Sequence, residues 1–233
     1  MLKLRLPSVR DSIYRQFESM GAAATDVIQF LLRRDSKVGI FAGAVRDAVA
    51  AAEFGWEVSQ PRDWDIGVSN ISQKDFHGIL AELGGIQNHY GGYKLLLNGI
   101  VPWEVWRVED TVGLRIRNAP RTLENVLRSF VLSSNAIVFD LDEEHFYDQG
   151  VLRSIASRKI EILSDAIIHD NEVFAAKALT LSFRFPFRLG PKALTHVRRH
   201  LTETALLHEL QKINSSLAIY QPKTAKAQCQ TLT

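Results

Sequence analysis

The sequence holds a single cysteine, Cys229, and no apolar run approaching the roughly 18 residues needed to span a bilayer. The first absence excludes an intramolecular disulfide and a thiolate zinc cluster, and the second leaves no membrane partner to expect. Residues Met1 to Arg10 carry Lys3, Arg5 and Arg10 but no apolar stretch ending in a small-residue cleavage site, so no secretory signal is read there and a cytoplasmic location is expected. Charge of one sign is also missing: 28 basic against 26 acidic residues leave +2, too little to argue for nucleic acid by itself. A local excess of cations runs from Arg184 through Arg188, Lys192, Arg198 and Arg199 to Lys223 and Lys226, and it reads as a solvated helix face ahead of a nucleic-acid surface. Repeats and low-complexity tracts are absent as well. What is present is the composition of a globular protein, 46% hydrophobic and 23% charged, long enough for one sizeable core with a helical appendage.

Apolar spacing divides the chain into residues 1–36 as a helical prelude, 37–168 as a central α/β (α+β) unit, 169–220 as a helical extension and 221–233 as a flexible tail. Helices are predicted over Val9 to Met20 and Ala23 to Arg34. Val38 to Phe41 then reads as a buried strand entering the turn Ala42-Gly43, which opens a helix to Phe54. A strand at Trp64 to Val68 and a helix from Gln73 to Leu83 follow. Strands at Ile86 to Tyr90, Tyr93 to Leu97 and Ile100 to Val108 come next, joined by glycine turns as an antiparallel set. Beyond them the pattern gives a helix at Leu123 to Leu132, a hairpin of Asn135 to Asp140 with His145 to Asp148, a helix at Val151 to Ala156 and a strand at Lys159 to Leu163. Helices over Glu172 to Phe183 and Lys192 to Ile213 complete it.

The chemistry starts at Asp63-Trp64-Asp65, because residues two apart on a strand point to one face and can grip a divalent cation. With 13 aspartates about one such spacing arises by chance, and Asp140-Leu-Asp142 is a second, read as a solvated hairpin turn. Position separates the two. Asp63 and Asp65 follow a glycine turn at a helix start, where backbone amides and the missing Cβ admit phosphate, and Glu104 lies on a later strand among Val101, Trp103 and Val105. Three acids converging at a sheet edge repel unless cations neutralise them, and two magnesium ions meet that need in nucleotidyl transfer.

These residues carry a family resemblance. Ala42-Gly43-Ala44-Val45-Arg46-Asp47, Arg62-Asp63-Trp64-Asp65-Ile66, Trp103-Glu104-Val105, Asn135-Ala136-Ile137-Val138-Phe139-Asp140 and Asp148-Gln149-Gly150 follow one another as in the head of class II CCA-adding enzymes and bacterial poly(A) polymerases, over about Val38 to Leu189. The resemblance implies a polymerase-beta-like head with a mixed, largely antiparallel sheet. It also implies magnesium- or manganese-dependent, template-independent transfer of a nucleotide from a nucleoside triphosphate to a hydroxyl, with an RNA or tRNA end among the acceptors. Asp63, Asp65 and Glu104 would hold metal, and Gly43, Arg46, Asp47, Asn135, Arg128 and Lys177 would attend the nucleotide. The departures are specific. Ala42 stands at the first glycine of the turn, and Ser129-Phe130-Val131 at the family's Arg-Arg-Asp. His169 to Phe174 stands at the base-selecting Glu-Asp-x-x-Arg. With the family's long helical body outside the resemblance, CCA addition to tRNA is not the leading expectation. A catalytically weakened nucleotide-binding module is the alternative, and the acceptor, base preference and oligomeric state stay open.

Other candidates carry less. His196 and His200, four apart on a helix with His208 beyond, lack a metalloprotease glutamate and read as solvated; His169-Asp170 reads as a loop. Alternation puts Trp106 on the face of Glu104, where it can stack on a base, and sends Trp103 and Trp64 to the core.

Overall fold

Leu2–Leu4 (β1), Lys37–Phe41 (β2), Trp64–Ser69 (β3), Ile86–Gln87 (β4), Tyr93–Leu97 (β5), Val101–Arg107 (β6), Ile137–Asp140 (β7) and His145–Asp148 (β8) hydrogen-bond into one sheet, in the order β1-β8-β7-β2-β3-β6-β5-β4. The computed structural model describes residues 1–32, 35–88, 91–97, 101–163 and 171–219. Neighbouring strands are antiparallel apart from β3 and β6, which run parallel. A parallel pair needs a long crossover, and the chain between β3 and β6 supplies one through the helix Gln73–Glu82 and the β4–β5 hairpin. The sheet is thus the mixed, mainly antiparallel one expected.

Strand alternation sorts the side chains onto two faces. Val38, Ile40, Trp64, Ile66, Val68, Trp103, Val105 and Phe139 share one core with the helices Pro7–Ser19 (α1), Ala22–Leu32 (α2), Gly43–Phe54 (α3) and Gln73–Glu82 (α4). Pro7 opens α1, and Val9, Ile13 and Phe17 at four-residue spacing form its buried stripe; Phe17 stacks on Trp64 at 4.6 Å between ring centres. The opposite face carries Phe41 and Val138, covered by Val108 and by the short helices Val112–Ile116 (α5) and Leu123–Val126 (α6). The acids of the candidate site lie on this second, partly open face.

The rest is helical: Val151–Ser157 (α7), Asn171–Arg184 (α8), Pro191–His200 (α9) and Glu203–Ile219 (α10), with a small parallel pair of Lys159–Ile160 (β9) and Arg188–Leu189 (β10) joining the helical part to the central sheet. Trp56 packs against Phe185 and Phe187 at the same junction. Among the described residues no helix is long and apolar enough to cross a membrane.

Several sequence expectations need correction. β1 carries no periodic signal in three residues and exists because it pairs with β8, Lys3 opposite Tyr147. The helix expected over Leu123 to Leu132 breaks after Val126 into a tighter turn, with the Phe130 amide donating to the Leu127 carbonyl. The long final helix is two, because the Thr202 hydroxyl caps a fresh start by accepting from the Ala205 amide at 3.2 Å. Asp140 is 2% exposed rather than solvated, and its Oδ1 accepts from the amides of Asp142 and Glu143, closing the β7–β8 turn. The expected turn at Asn98-Gly99, His169-Asp170 and the tail 221–233 lie outside the described residues.

Candidate active site

The turn that leads from β2 into α3 is bent at Ala42. Its φ of 56° and ψ of −116° lie in a region that favours glycine, whereas Gly43 carries no positive φ. This relocates the expected role of glycine. Ala42 holds the conformation of the missing first glycine, and a Cβ at Gly43 would come no closer than 3.8 Å to the Arg46 guanidinium. The first amides of α3 have no acceptor within the helix, which leaves this terminus suited to an anion.

Behind the turn, Arg46 and Asp47 are 4% and 5% exposed. The guanidinium donates to Asp47 at 2.7 Å and to the Asn135 Oδ1 at 2.8 Å, and it lies 4.8 Å from the centre of the Phe185 ring. Burial holds the Asp47 carboxyl above its ordinary range despite the adjacent arginine. Both side chains are committed to one another in this structure, so they brace the turn against the helical part. Asn135 joins that brace and also lines the cavity described below.

Asp65 and Glu104 come together because β3 and β6 run in register, with Asp65 opposite Glu104 and Trp64 opposite Trp103. Asp65 is also the partner of Phe41, so it stands beside the end of β2 from which the turn departs. Burial, then the negative charges of Asp63 and Glu104, push the Asp65 carboxyl up to about 7; Lys177 and Arg62 oppose them. Asp63 precedes β3 and accepts from Arg62 at 2.9 Å, and Glu104 pairs with Lys94 at 3.2 Å. With the two outer acids turned to cations, no group of three His, Cys, Asp or Glu side chains stands as a ready metal cluster among the described residues. As hard oxygen donors carrying excess negative charge, the three carboxylates nonetheless have the chemistry that suits magnesium or manganese.

A cavity of about 470 Å³ opens over Asp65 and Glu104. Lys177 and Phe174 of α8 line it, and Trp106, Val112 and Phe130 give it an apolar wall. Arg128 is exposed and lies outside this lining; Asp63 and Gly43, which are half-buried, and the buried Arg46 and Asp47 are outside it too. Sequence reasoning placed Trp106 on this face but missed the rest of the wall. Phe130 was legible only as part of a departure from the family motif, and the Lys94 partner of Glu104 gave no signal because it comes from the neighbouring strand β5. Trp64 and Trp103 are core residues, as alternation required.

His196 corrects another expectation. It is 9% exposed rather than solvated, its Nε2 lies 3.0 Å from the Asn171 carbonyl and its ring centre is 4.8 Å from that of His200. Burial lowers its pKa. It ties α9 to the start of α8.

No protein-family model matches the chain, and no curated protein matches its sequence. Solved structures do share its fold. The Thermotoga maritima CCA-adding enzyme complexed with tRNA superposes with a TM-score of 0.62 at 18% identity, over 91% of this chain and 51% of that one. A CCA-adding enzyme with CTP gives 0.60 at 17% identity, covering 92% and 52%. A tRNA-processing enzyme with CTP gives 0.55 at 19% identity, covering 83% and 55%. The fold is therefore that of the CCA-adding enzyme head, and the chain spans about half the length of the structures it matches.

Proposed function

We propose that this protein is a metal-dependent, template-independent nucleotidyltransferase that moves a nucleotide from a nucleoside triphosphate to a hydroxyl and releases pyrophosphate. The observation that carries this reading is the register of β3 and β6, which sets Asp65 against Glu104 beside the turn that opens α3. Asp63, Asp65 and Glu104 would hold magnesium or manganese. The bound ions would activate the attacking hydroxyl and neutralise charge developing on the leaving oxygen. In the balanced step the acceptor oxygen bonds to the α-phosphorus, the bond from that phosphorus to the bridging oxygen breaks, and pyrophosphate leaves as the hydroxyl proton passes to a base.

The chain's own groups account for binding and alignment. The first amides of α3, with Gly43 bare beside them, receive the phosphates, while Arg46 and Asp47 brace the turn. Lys177 supplies positive charge over the acids, and Arg128 and Asn135 remain candidates for the sugar and phosphates. We further propose that residues 37–168 act as the catalytic unit, with 1–36 supporting it and 169–220 as a neck-like extension. The protein works in the cytoplasm on an RNA or tRNA end, a nucleotide or a protein hydroxyl. The solved neighbours with CTP, ATP and tRNA support a nucleoside triphosphate donor and, among these acceptors, an RNA or tRNA end.

The test is release of labelled pyrophosphate and incorporation of label from each of the four triphosphates, with Mg²⁺ or Mn²⁺ and total cellular RNA as acceptor. Asp65→Asn and Glu104→Ala should each abolish it. A second reading, a nucleotide-binding module without turnover, is favoured by Ser129-Phe130-Val131 in place of the family's arginines and acid. Thermal stabilisation by nucleotide and metal with no pyrophosphate release would select it.

A further inference from the structure

The sheet face that carries Asp65 and Glu104 has been cut away to hold an aromatic stack. Gly39 and Gly67 are direct partners across β2 and β3. A Cβ on Gly39 would approach Phe41 Cε2 to 3.1 Å, and one on Gly67 would approach the same atom to 2.7 Å and Trp106 Cζ2 to 3.3 Å. The paired glycines therefore leave the space that the Phe41 ring occupies, and a side chain at Gly67 would collide with it. Phe41 in turn backs the two rings of the cavity wall. Phe130 stacks on it nearly parallel, 7° between planes at 6.2 Å, and Trp106 leans on it at 5.1 Å. Both outer rings are half-buried and line the cavity. The two rings are inclined to one another, since Trp106 lies 50° and Phe130 7° from the plane of Phe41. An aromatic face backed by a second ring suits a planar ring more than a chain, because stacking needs area without reorganisation.

Strand order says which ring. The turn at α3 ends β2, Asp65 is on β3, and Glu104 and Trp106 are on β6, two strands from the turn. In-line displacement places the nucleophile opposite the leaving group. If pyrophosphate leaves toward the α3 terminus, the attacking hydroxyl arrives from the β6 side, across Glu104, where the wall stands. We propose that Trp106 and Phe130 form a stacking subsite for the terminal base of a single-stranded nucleic-acid acceptor, an inference that rests on the transferase reading above. One observation favours a nucleic acid over a protein hydroxyl: Arg115 of α5 and Arg128, two residues before Phe130, are exposed and make no ion pair with described residues, so they are available to phosphates.

The experiment uses the full chain and a short oligoribonucleotide ending in 2-aminopurine, whose fluorescence is quenched by stacking, beside the same oligonucleotide with an abasic terminal residue. Binding is followed with and without a triphosphate and Mg²⁺, so the result does not depend on turnover. The base-bearing oligonucleotide should be quenched and should bind roughly 5- to 100-fold more tightly than the abasic one. Phe130→Leu and Trp106→Leu, which keep apolar volume and remove the flat ring, should each abolish most of that preference while leaving the thermal shift given by triphosphate unchanged. Either variant suffices if the other fails to fold. Equal binding of the two oligonucleotides, absence of binding, or preference retained in a folded variant would overturn the subsite. If the wall binds as expected and no acceptor is extended, the transferase reading fails and the subsite stands as a binding site alone.

Discussion

Replacing Arg46 by methionine tests whether the brace beneath the α3 turn is a structural ion pair. The guanidinium and Asp47 are almost wholly buried and 2.6 Å apart, and the arginine also binds Asn135 and lies on Phe185. Breaking such a pair from one side costs about 3–5 kcal/mol, most of it from the charge left behind. Proton uptake sets a ceiling. Protonating a carboxyl with an ordinary value of 3.8 at pH 7 costs about 4 kcal/mol, at 1.36 kcal/mol per unit, and burial already holds Asp47 above that value. The expected loss at pH 7 is therefore about 3 kcal/mol. Its pH dependence has a fixed sign: a carboxyl raised in the folded state loses stability as pH climbs above the unfolded value, so the deficit should shrink by about 1–2 kcal/mol on going to pH 5. Urea unfolding of Arg46→Met, Asp47→Leu and the double variant at both pH values gives the cycle. The double variant should recover to within about 1 kcal/mol of the parent, a coupling of about 2 kcal/mol or more. A single-variant loss under about 1 kcal/mol, or strictly additive losses, would refute the brace and return Arg46 to direct contact with the triphosphate.

Ala42→Gly should stabilise the fold by about 1 kcal/mol in urea unfolding, since it relieves a non-glycine φ of 56°; a loss of stability would mean that the bend is not strained. Hydrogen bonds from Lys3 and then Lys37 hold the Glu143 carboxyl down at about 2, so its contribution is present above about pH 4.5 and disappears as pH falls toward 2. Glu143→Gln should cost about 0.5–1 kcal/mol at pH 7, reduced by solvent screening, and progressively less as pH falls from about 4.5 through 2; a pH-independent difference would contradict the ion-pair origin.

The sequence by itself determined much of the frame. The apolar run Val38 to Phe41 and the strand patterns of Trp64 to Val68 and Ile100 to Val108 specified strands, and alternation in the last two sent Trp64 and Trp103 inward, because these patterns are local properties of the chain. The order of motifs from Ala42 to Gly150 was enough to name the fold. It also singled out Asp65 and Glu104, which strand register then set opposite one another. What only the tertiary structure decided concerns partners distant in sequence. Arg46 finds Asn135 and Phe185, and Glu104 finds Lys94. Asp140 closes a turn instead of meeting solvent, and three residues at Leu2–Leu4 become a strand because β8 offers an edge. The stack of Phe41, Trp106 and Phe130 is the clearest case. Its space is made by the absence of two side chains, at Gly39 and Gly67, and that absence has meaning only once β2 and β3 lie side by side.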